Sequence, residues 1–215
     1  MKRLILLAIL GGTAALGGCK SVYYGTMEKL GYHKRDLLVD RVQDARDAQQ
    51  QAKEQFESAL EQFSHLVDFE GGELEKTYKR LNTEFERSED RARAVHKRID
   101  DVEGVAKALF REWESELEDY ANENLRKLSR QKLEETQDRY AQLIAAMRRA
   151  ESRIDPVLAA FRDQVLFLKH NLNAQAIASI ENELVSVQTD VAALLNAMEL
   201  SIAEADGFIQ TMSQE

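Results

Sequence analysis

Cys19 is the residue whose type and setting point most directly to covalent chemistry. It is the only cysteine of the chain, and it closes the run Leu16-Gly17-Gly18-Cys19 at the end of a short apolar stretch. Met1-Lys2-Arg3 supplies a basic start, and Leu4 to Leu16 an apolar core. That core is too short to span a bilayer comfortably, because a spanning helix needs about 20 apolar residues. A basic start, a short apolar core and small residues before a cleavage point have the layout of a secretory signal rather than a transmembrane helix.

The Leu-Gly-Gly-Cys ending resembles a bacterial lipobox. The resemblance implies cleavage before Cys19, lipid on its sulfur and acylation of the new amino terminus. It accounts for a lone cysteine in an exported chain, where an odd thiol otherwise needs a partner, so no disulfide and no redox role is expected. One acyl chain anchors only marginally, at about 0.8 kcal/mol per buried methylene, whereas two or three hold a protein at a membrane. The next residue is Lys20 and not aspartate. By resemblance to enterobacterial lipoproteins, that lacks an inner-membrane retention signal and implies the outer membrane, facing the periplasm.

No other constellation carries a reaction. The four histidines are His33, His65, His96 and His170. None has a second histidine three or four residues away, and none follows a glutamate by three, so neither a helical metal pair nor a di-iron motif is present. Each is expected at the surface or at a helix cap. Glu103 with Lys107, Glu123 with Lys127 and Glu135 with Arg139 are spaced for helix-surface pairs. Arg87, Arg91, Arg93, Lys97 and Arg98 form a basic stretch diluted by Glu86, Glu89, Asp90 and Asp100, which reads as a solvated mixed face. There is no Gly-rich phosphate loop and no Gly-x-Ser-x-Gly elbow. No catalytic residue, cofactor, metal or small-molecule substrate is assigned, and the expected class is not an enzyme.

The elements around these residues are helices. The chain has one proline and ten glycines in 215 residues, 44% apolar and 31% charged, with formal net charge −9 at pH 7. Cleavage before Cys19 removes Lys2 and Arg3 and makes it more acidic still. That charge disfavours nucleic acid, whose phosphates need clustered Lys and Arg. Residues 1–18 read as a signal peptide and 19–33 as a lipid-anchored tether. In and next to the tether, Tyr23, Tyr24 and Tyr32 suit the headgroup level and Lys20, Lys29, Lys34 and Arg35 suit anionic lipid, although a short irregular linker is the favoured reading.

Residues 34–213 read as a single all-α domain, an elongated antiparallel four-helix bundle or a pair of coiled-coil hairpins. Leu38, Val42, Ala45, Gln49, Ala52, Phe56, Ala59, Phe63 and Leu66 alternate steps of four and three, predicting a first helix over 34–69 that Gly71-Gly72 ends. Leu74, Tyr78, Leu81, Phe85, Ser88, Ala92, Val95, Ile99, Val102, Ala106, Leu109 and Trp113 continue the pattern, predicting a second helix over 73–126 that overhangs or bends at Gly104. The phase slips past Trp113. The next turn is placed at 126–131, with Arg126-Lys127 at a helix end and Ser129 capping a third helix over 130–171. Asp155-Pro156 predicts a kink there, not a termination, because the apolar phase runs through it. Asn173 then caps a fourth helix over 174–212, whose stripe includes Ile177, Ile180, Leu184, Val187, Val191, Leu194, Met198, Ser201, Ala205, Phe208 and Met212. At 1.5 Å per residue the four span roughly 55 to 80 Å.

Two features exceed a plain bundle. Val165, Leu166, Phe167 and Leu168 are apolar on every helical face, a patch for burial in the core or for a partner. Gln49 and Ser88 are polar within apolar stripes, where they either set register or sit at a frayed edge.

The segments Leu143-Ile144-Ala145-Ala146-Met147-Arg148-Arg149-Ala150-Glu151-Ser152-Arg153-Ile154 and Pro156-Val157-Leu158, followed by Phe161 to Asn173, resemble a bacterial family of lipoproteins known as DUF2959. The resemblance covers nearly the whole mature chain. It implies an exported helical protein of unknown activity and carries over no catalytic or binding residue. The functional expectation is a lipid-anchored envelope scaffold, spacer or adaptor, held to the membrane at Cys19, with an envelope protein or a second copy as partner. The alternatives are a carrier of an apolar ligand in the bundle core and a membrane-remodelling coiled coil.

Overall fold

A computed structural model describes residues 34–65, 74–171 and 174–214, with the side chains of 174–178 outside the description. The expectations for the signal segment, Cys19, the tether, His33, Leu66, Gly71-Gly72, Asn173 and the Ile177 side chain lie outside the described residues. Among the described residues there is no strand. The helices are α1 (Lys34–Ser64), α2 (Leu74–Glu116), α3 (Glu123–Glu151), α4 (Ile154–His170) and α5 (Ala174–Gln214), with a 3-10 turn at Leu117–Asp119.

The 3.5-residue stripe of the sequence is the seam of the bundle. In α1, Leu38, Val42, Ala45, Gln49, Ala52, Phe56, Ala59 and Phe63 are all buried. The stripe of α2 from Leu81 to Leu109 is buried throughout, while Leu74, Tyr78 and Trp113 at its ends are half-buried. Ile180, Val187, Val191, Leu194, Met198, Ser201, Ala205, Phe208 and Met212 do the same on α5. All five helices contribute to one apolar core. Phe63 stacks on Phe161 of α4 with ring centroids 4.6 Å apart, and Phe56 lies 6.3 Å from the same ring. Stacked aromatic pairs of this kind add about 0.5–1.5 kcal/mol beyond the area they bury.

Cross-helix pairs fix an antiparallel register. Lys34 meets Glu112 at 2.5 Å and Arg98 meets Asp44 at 3.1 Å, which aligns α1 with α2. Arg46 with Asp206 at 2.9 Å and Lys53 with Glu199 at 2.7 Å align α1 with α5. Gln137 with Glu114 at 3.2 Å and Arg162 with Glu89 at 3.0 Å align α3 and α4 with α2. Chain order is therefore up, down, up, down, with α3 and α4 together forming the third rod.

Three boundaries differ from the sequence reading. The second helix ends at Glu116, ten residues before the expected end, and runs unbroken through Gly104. The turn lies at 117–122 and not at 126–131. Tyr120 is extended, and the Asn122 side chain accepts hydrogen bonds from the amides of Asn124 and Leu125, so Asn122 is the cap. Ser129 instead accepts a hydrogen bond from Trp113 Nε1 at 2.8 Å. The phase slip past Trp113 was the turn itself. Arg126 and Lys127 sit not at a helix end but in the first turns of α3, where Arg126 pairs with Glu123.

The third difference is at Pro156. The ladder is interrupted at Ser152-Arg153, where the amide of Arg153 donates to Ala150 O at 3.1 Å, a tighter turn than the α-helix. Ser152 and Arg153 keep right-handed helical angles, so the rod continues in phase and Ala150, Ile154, Val157 and Phe161 all stay buried. Pro156 occupies the first turn of α4, where a missing N–H has least effect.

Among the described residues, one hydrogen bond between helices joins two fully buried side chains. Ser201 donates to Gln49 Oε1 at 2.8 Å, both side chains being fully buried, and Gln49 Nε2 has no partner. Ser88 donates to the Glu84 carbonyl of its own helix and sets no register. An unsatisfied buried polar group costs about 1–3 kcal/mol. Ser201→Ala, which strands the Gln49 oxygen as well, is expected to destabilise the bundle by about 1–3 kcal/mol. Gln49→Leu combined with Ser201→Ala is expected to restore or exceed the parent stability. Urea denaturation of both variants reads the difference, and a double variant no better than the single one contradicts the account.

Candidate functional site

The break at Ser152-Arg153 gathers the densest set of charged groups in the described residues. It arises because α3 and α4 present one face to α2 and another to α5 at the same height. On the α2 side, Arg148 is the hub. Its Nε lies 2.9 Å from Glu103 Oε1, its Nη1 2.9 and 2.8 Å from the two oxygens of Glu151, and its Nη2 2.7 Å from Asp100. Glu103 therefore faces Arg148 across the helix interface, and the expected pairing with Lys107 is not the one that forms. Donation to Glu103 is the largest influence and raises the guanidinium pKa well above its ordinary value; burial, next in size, opposes it, and donation to Glu151 and Asp100 adds to the rise.

His96 joins the same cluster. Its Nδ1 lies 2.6 Å from Glu151 Oε1 and its Nε2 3.8 Å from Asp155. The sequence reading placed this histidine at the surface or a cap, and the structure makes it a bridge from α2 to both sides of the break. An imidazole oriented by a carboxylate is one part of an acid–base pair. Here the second nitrogen faces another carboxylate and not a nucleophile. The cluster works as an ionic clamp across the interrupted helix. His65 pairs loosely with Glu61 at 3.7 Å, and His170 is exposed at the end of α4. Among the described residues no group of three His, Cys, Asp or Glu could hold a metal ion.

On the α5 side the same break forms two shallow grooves. One, of about 380 Å³, runs over Ala146, Ala193, Ala197 and Leu200 between Arg149, Arg153, Asn196 and Glu204. The other, of about 300 Å³, lies over Pro156 and Val157 and shares Arg149 and Arg153. Small alanines create the concavity, and charged groups of both signs rim it. His96 lines neither groove.

The four-residue apolar patch splits. Val165 and Leu168 are buried in the core, whereas Leu166 and Phe167 are 48% and 40% exposed. Residues three apart share a helix face, so only one pair of a continuous run can point inward. The basic stretch of α2 is a paired surface, as expected. Arg87 meets Glu84, Arg93 meets Asp90, Lys97 meets Asp101 and Arg98 meets Asp44. Of the other two expected surface pairs, Glu123 takes Arg126 within its own helix, while Glu135 accepts from Gln131 and Lys132 and also feels the charge of Arg139, the partner expected for it.

Exposed apolar side chains recur at one end of the bundle, a feature the sequence reading missed. Tyr120, Leu125 and Leu128 flank the turn at 117–122. The signal for it in the sequence is the slipped phase past Trp113, which marks the turn itself.

Loss of Arg148 should show how much the clamp contributes. Arg148→Ala leaves Glu151, mostly buried, with His96 alone, and is expected to cost about 1–2 kcal/mol, between the values for exposed and buried pairs. Arg148→Lys is expected to recover less than half, because an ammonium cannot fork to three carboxylates. Urea denaturation checks both, and an unchanged midpoint for Arg148→Ala contradicts the clamp.

Tyr140, edge-on to Phe110 with centroids 5.4 Å apart, gives a pH-dependent counterpart. Burial first, and the Glu103 carboxylate second, push its phenol up to about 12. The unfolded phenol ionises near pH 10. The contribution is therefore complete below about pH 10 and lost as pH rises towards about 12. Tyr140→Phe is expected to flatten the decline of stability over that interval, measured by denaturation at stepped pH, and an unchanged slope contradicts it.

Among the described residues no helix is long and apolar enough to cross a membrane. No curated protein matches the chain. The sequence profile of the family described as "Protein of unknown function (DUF2959)" matches residues 23–212, most of the chain. The resemblance carried by residues 143–173 thus extends over the whole bundle, and the chain belongs to the DUF2959 family.

Proposed function

We propose that this is a non-enzymatic, lipid-anchored protein of the bacterial cell envelope, a helical scaffold, spacer or adaptor held by acyl chains on Cys19. The observation that carries the reading is the signal-type segment ending in Leu16-Gly17-Gly18-Cys19, placed ahead of a long bundle. Lys20 after the cysteine favours the outer membrane, with the bundle in the periplasm. The spacer role draws support from shape. Among the described residues the longest helix has 43 residues, about 64 Å of rise, and charged groups on it pair along the helix and with α1.

The two grooves at the helix break are open rather than enclosed in the seam, which gives an apolar-ligand carrier little support. Membrane remodelling has no observation behind it beyond helix length.

The test is metabolic labelling combined with crosslinking in intact cells. Labelled palmitate is expected to enter the parent protein and not Cys19→Ala, and crosslinking is expected to recover a defined envelope partner or a homo-oligomer. Absence of label contradicts the anchor. A labelled protein that stays strictly monomeric and partnerless contradicts the scaffold.

A further inference from the structure

Four observations converge on the end of the bundle where α1 begins. Lys34 lies beside Glu112, and Arg35 donates to the Met212 carbonyl at 2.8 Å, so the first and last described turns share a level. Glu114 lies beside Gln137. Residue 137 of α3 is therefore close to level with Lys34, and the start of α3 at Glu123 projects about 20 Å beyond it. This projecting tip carries Tyr120, Leu125 and Leu128, at 37%, 53% and 59% exposure. Finally, fourteen residues separate Cys19 from Lys34. Whatever their conformation, they reach at most about 50 Å, which exceeds the projection.

We propose that the tip formed by the 117–122 turn and the first turns of α3 is a lipid-contact surface that rests in the interface of the bilayer holding the anchor. This rests on the anchoring reading at Cys19. The anchored segment enters the bundle at the same end from which the tip projects, so a tether longer than the projection lets the tip reach the headgroups. Tyr120 has the amphipathic ring suited to that level, and Leu125 and Leu128, three apart, share one face of the helix.

Charge decides the kind of membrane contact. Between Glu116 and Lys132 the tip has four acidic residues (Glu116, Glu118, Asp119, Glu123) and four basic ones (Arg126, Lys127, Arg130, Lys132). It is neutral within a chain of net charge −9. An acidic protein would otherwise be held off an anionic leaflet. Apolar insertion, not attraction to anionic lipid, is therefore the driving contact, and it should be insensitive to salt.

The single tryptophan is a built-in reporter, because Trp113 Nε1 donates to Ser129, next to Leu128. The lipidated full chain is reconstituted in phosphatidylcholine vesicles containing brominated phosphatidylcholine, and Trp113 fluorescence is recorded. Intact mass of the same preparation reports acylation of Cys19. Strong quenching is expected, unchanged by high salt. Leu125→Ser with Leu128→Ser should abolish it, since each leucine contributes roughly tenfold in partitioning. Val185→Ser with Leu200→Ser, exposed positions elsewhere on α5, should leave it intact. Acylated protein without quenching, or with quenching indifferent to Leu125 and Leu128, overturns the lipid contact while leaving the anchor standing. An unacylated Cys19 overturns the anchor separately. A dimer that sediments as such and dissociates in the double variant, without quenching in the parent, assigns the tip to a second copy and also overturns the proposal.

Discussion

The structure depends on the closed apolar seam along α1. Eight stripe positions from Leu38 to Phe63 are buried, and they pack against α2 on one side and α5 on the other while Phe56 and Phe63 reach Phe161 of α4. A helix this polar on its outer faces has little intrinsic reason to persist alone in water. Most helical stability in proteins comes from burying one face. The 3.5-residue spacing keeps that face aligned over about seven turns, and the shallow crossing it demands makes the molecule long rather than round.

Within that frame, polar groups add position more than energy. Gln49 and Ser201 form a fully buried polar pair across the seam, and their cost is compensated by burial on every side. The Arg148 cluster lies at the edge, where three carboxylates and His96 bind α2 to the rod at the point where Ser152-Arg153 interrupts its ladder. Interrupted backbone hydrogen bonding and a cross-helix clamp occur at one height. The clamp explains why the break leaves the apolar phase undisturbed.

The stripe was legible because its period repeats over dozens of residues and every deviation stands out. Local rules did worse wherever the outcome depended on a neighbouring helix. Glu103 and Lys107 have ideal spacing for a surface pair, yet the register of α2 against α3 places a better partner, Arg148, in front of the carboxylate. Arg126-Lys127 matched a helix C-terminus by charge, but Asn122, with two backbone amides to accept from, starts α3 seven residues before the expected position. The run Val165 to Leu168 could not all be buried, because a helix turns two of any four residues outward. Of the candidate site, Cys19 rests on sequence alone, and the exposed tip emerged only once helix registers set which ends project.

The central claim is that α1 is the shared wall of a single cooperative unit. Native-state hydrogen exchange tests it most directly, since amides that open only with global unfolding share one free energy. The account expects the amides of α1 around Gln49 to exchange with the same opening free energy as those around Val95 in α2 and Leu194 in α5. Exchange of α1 through a separate, lower-energy opening, with α2 and α5 still protected, would contradict it.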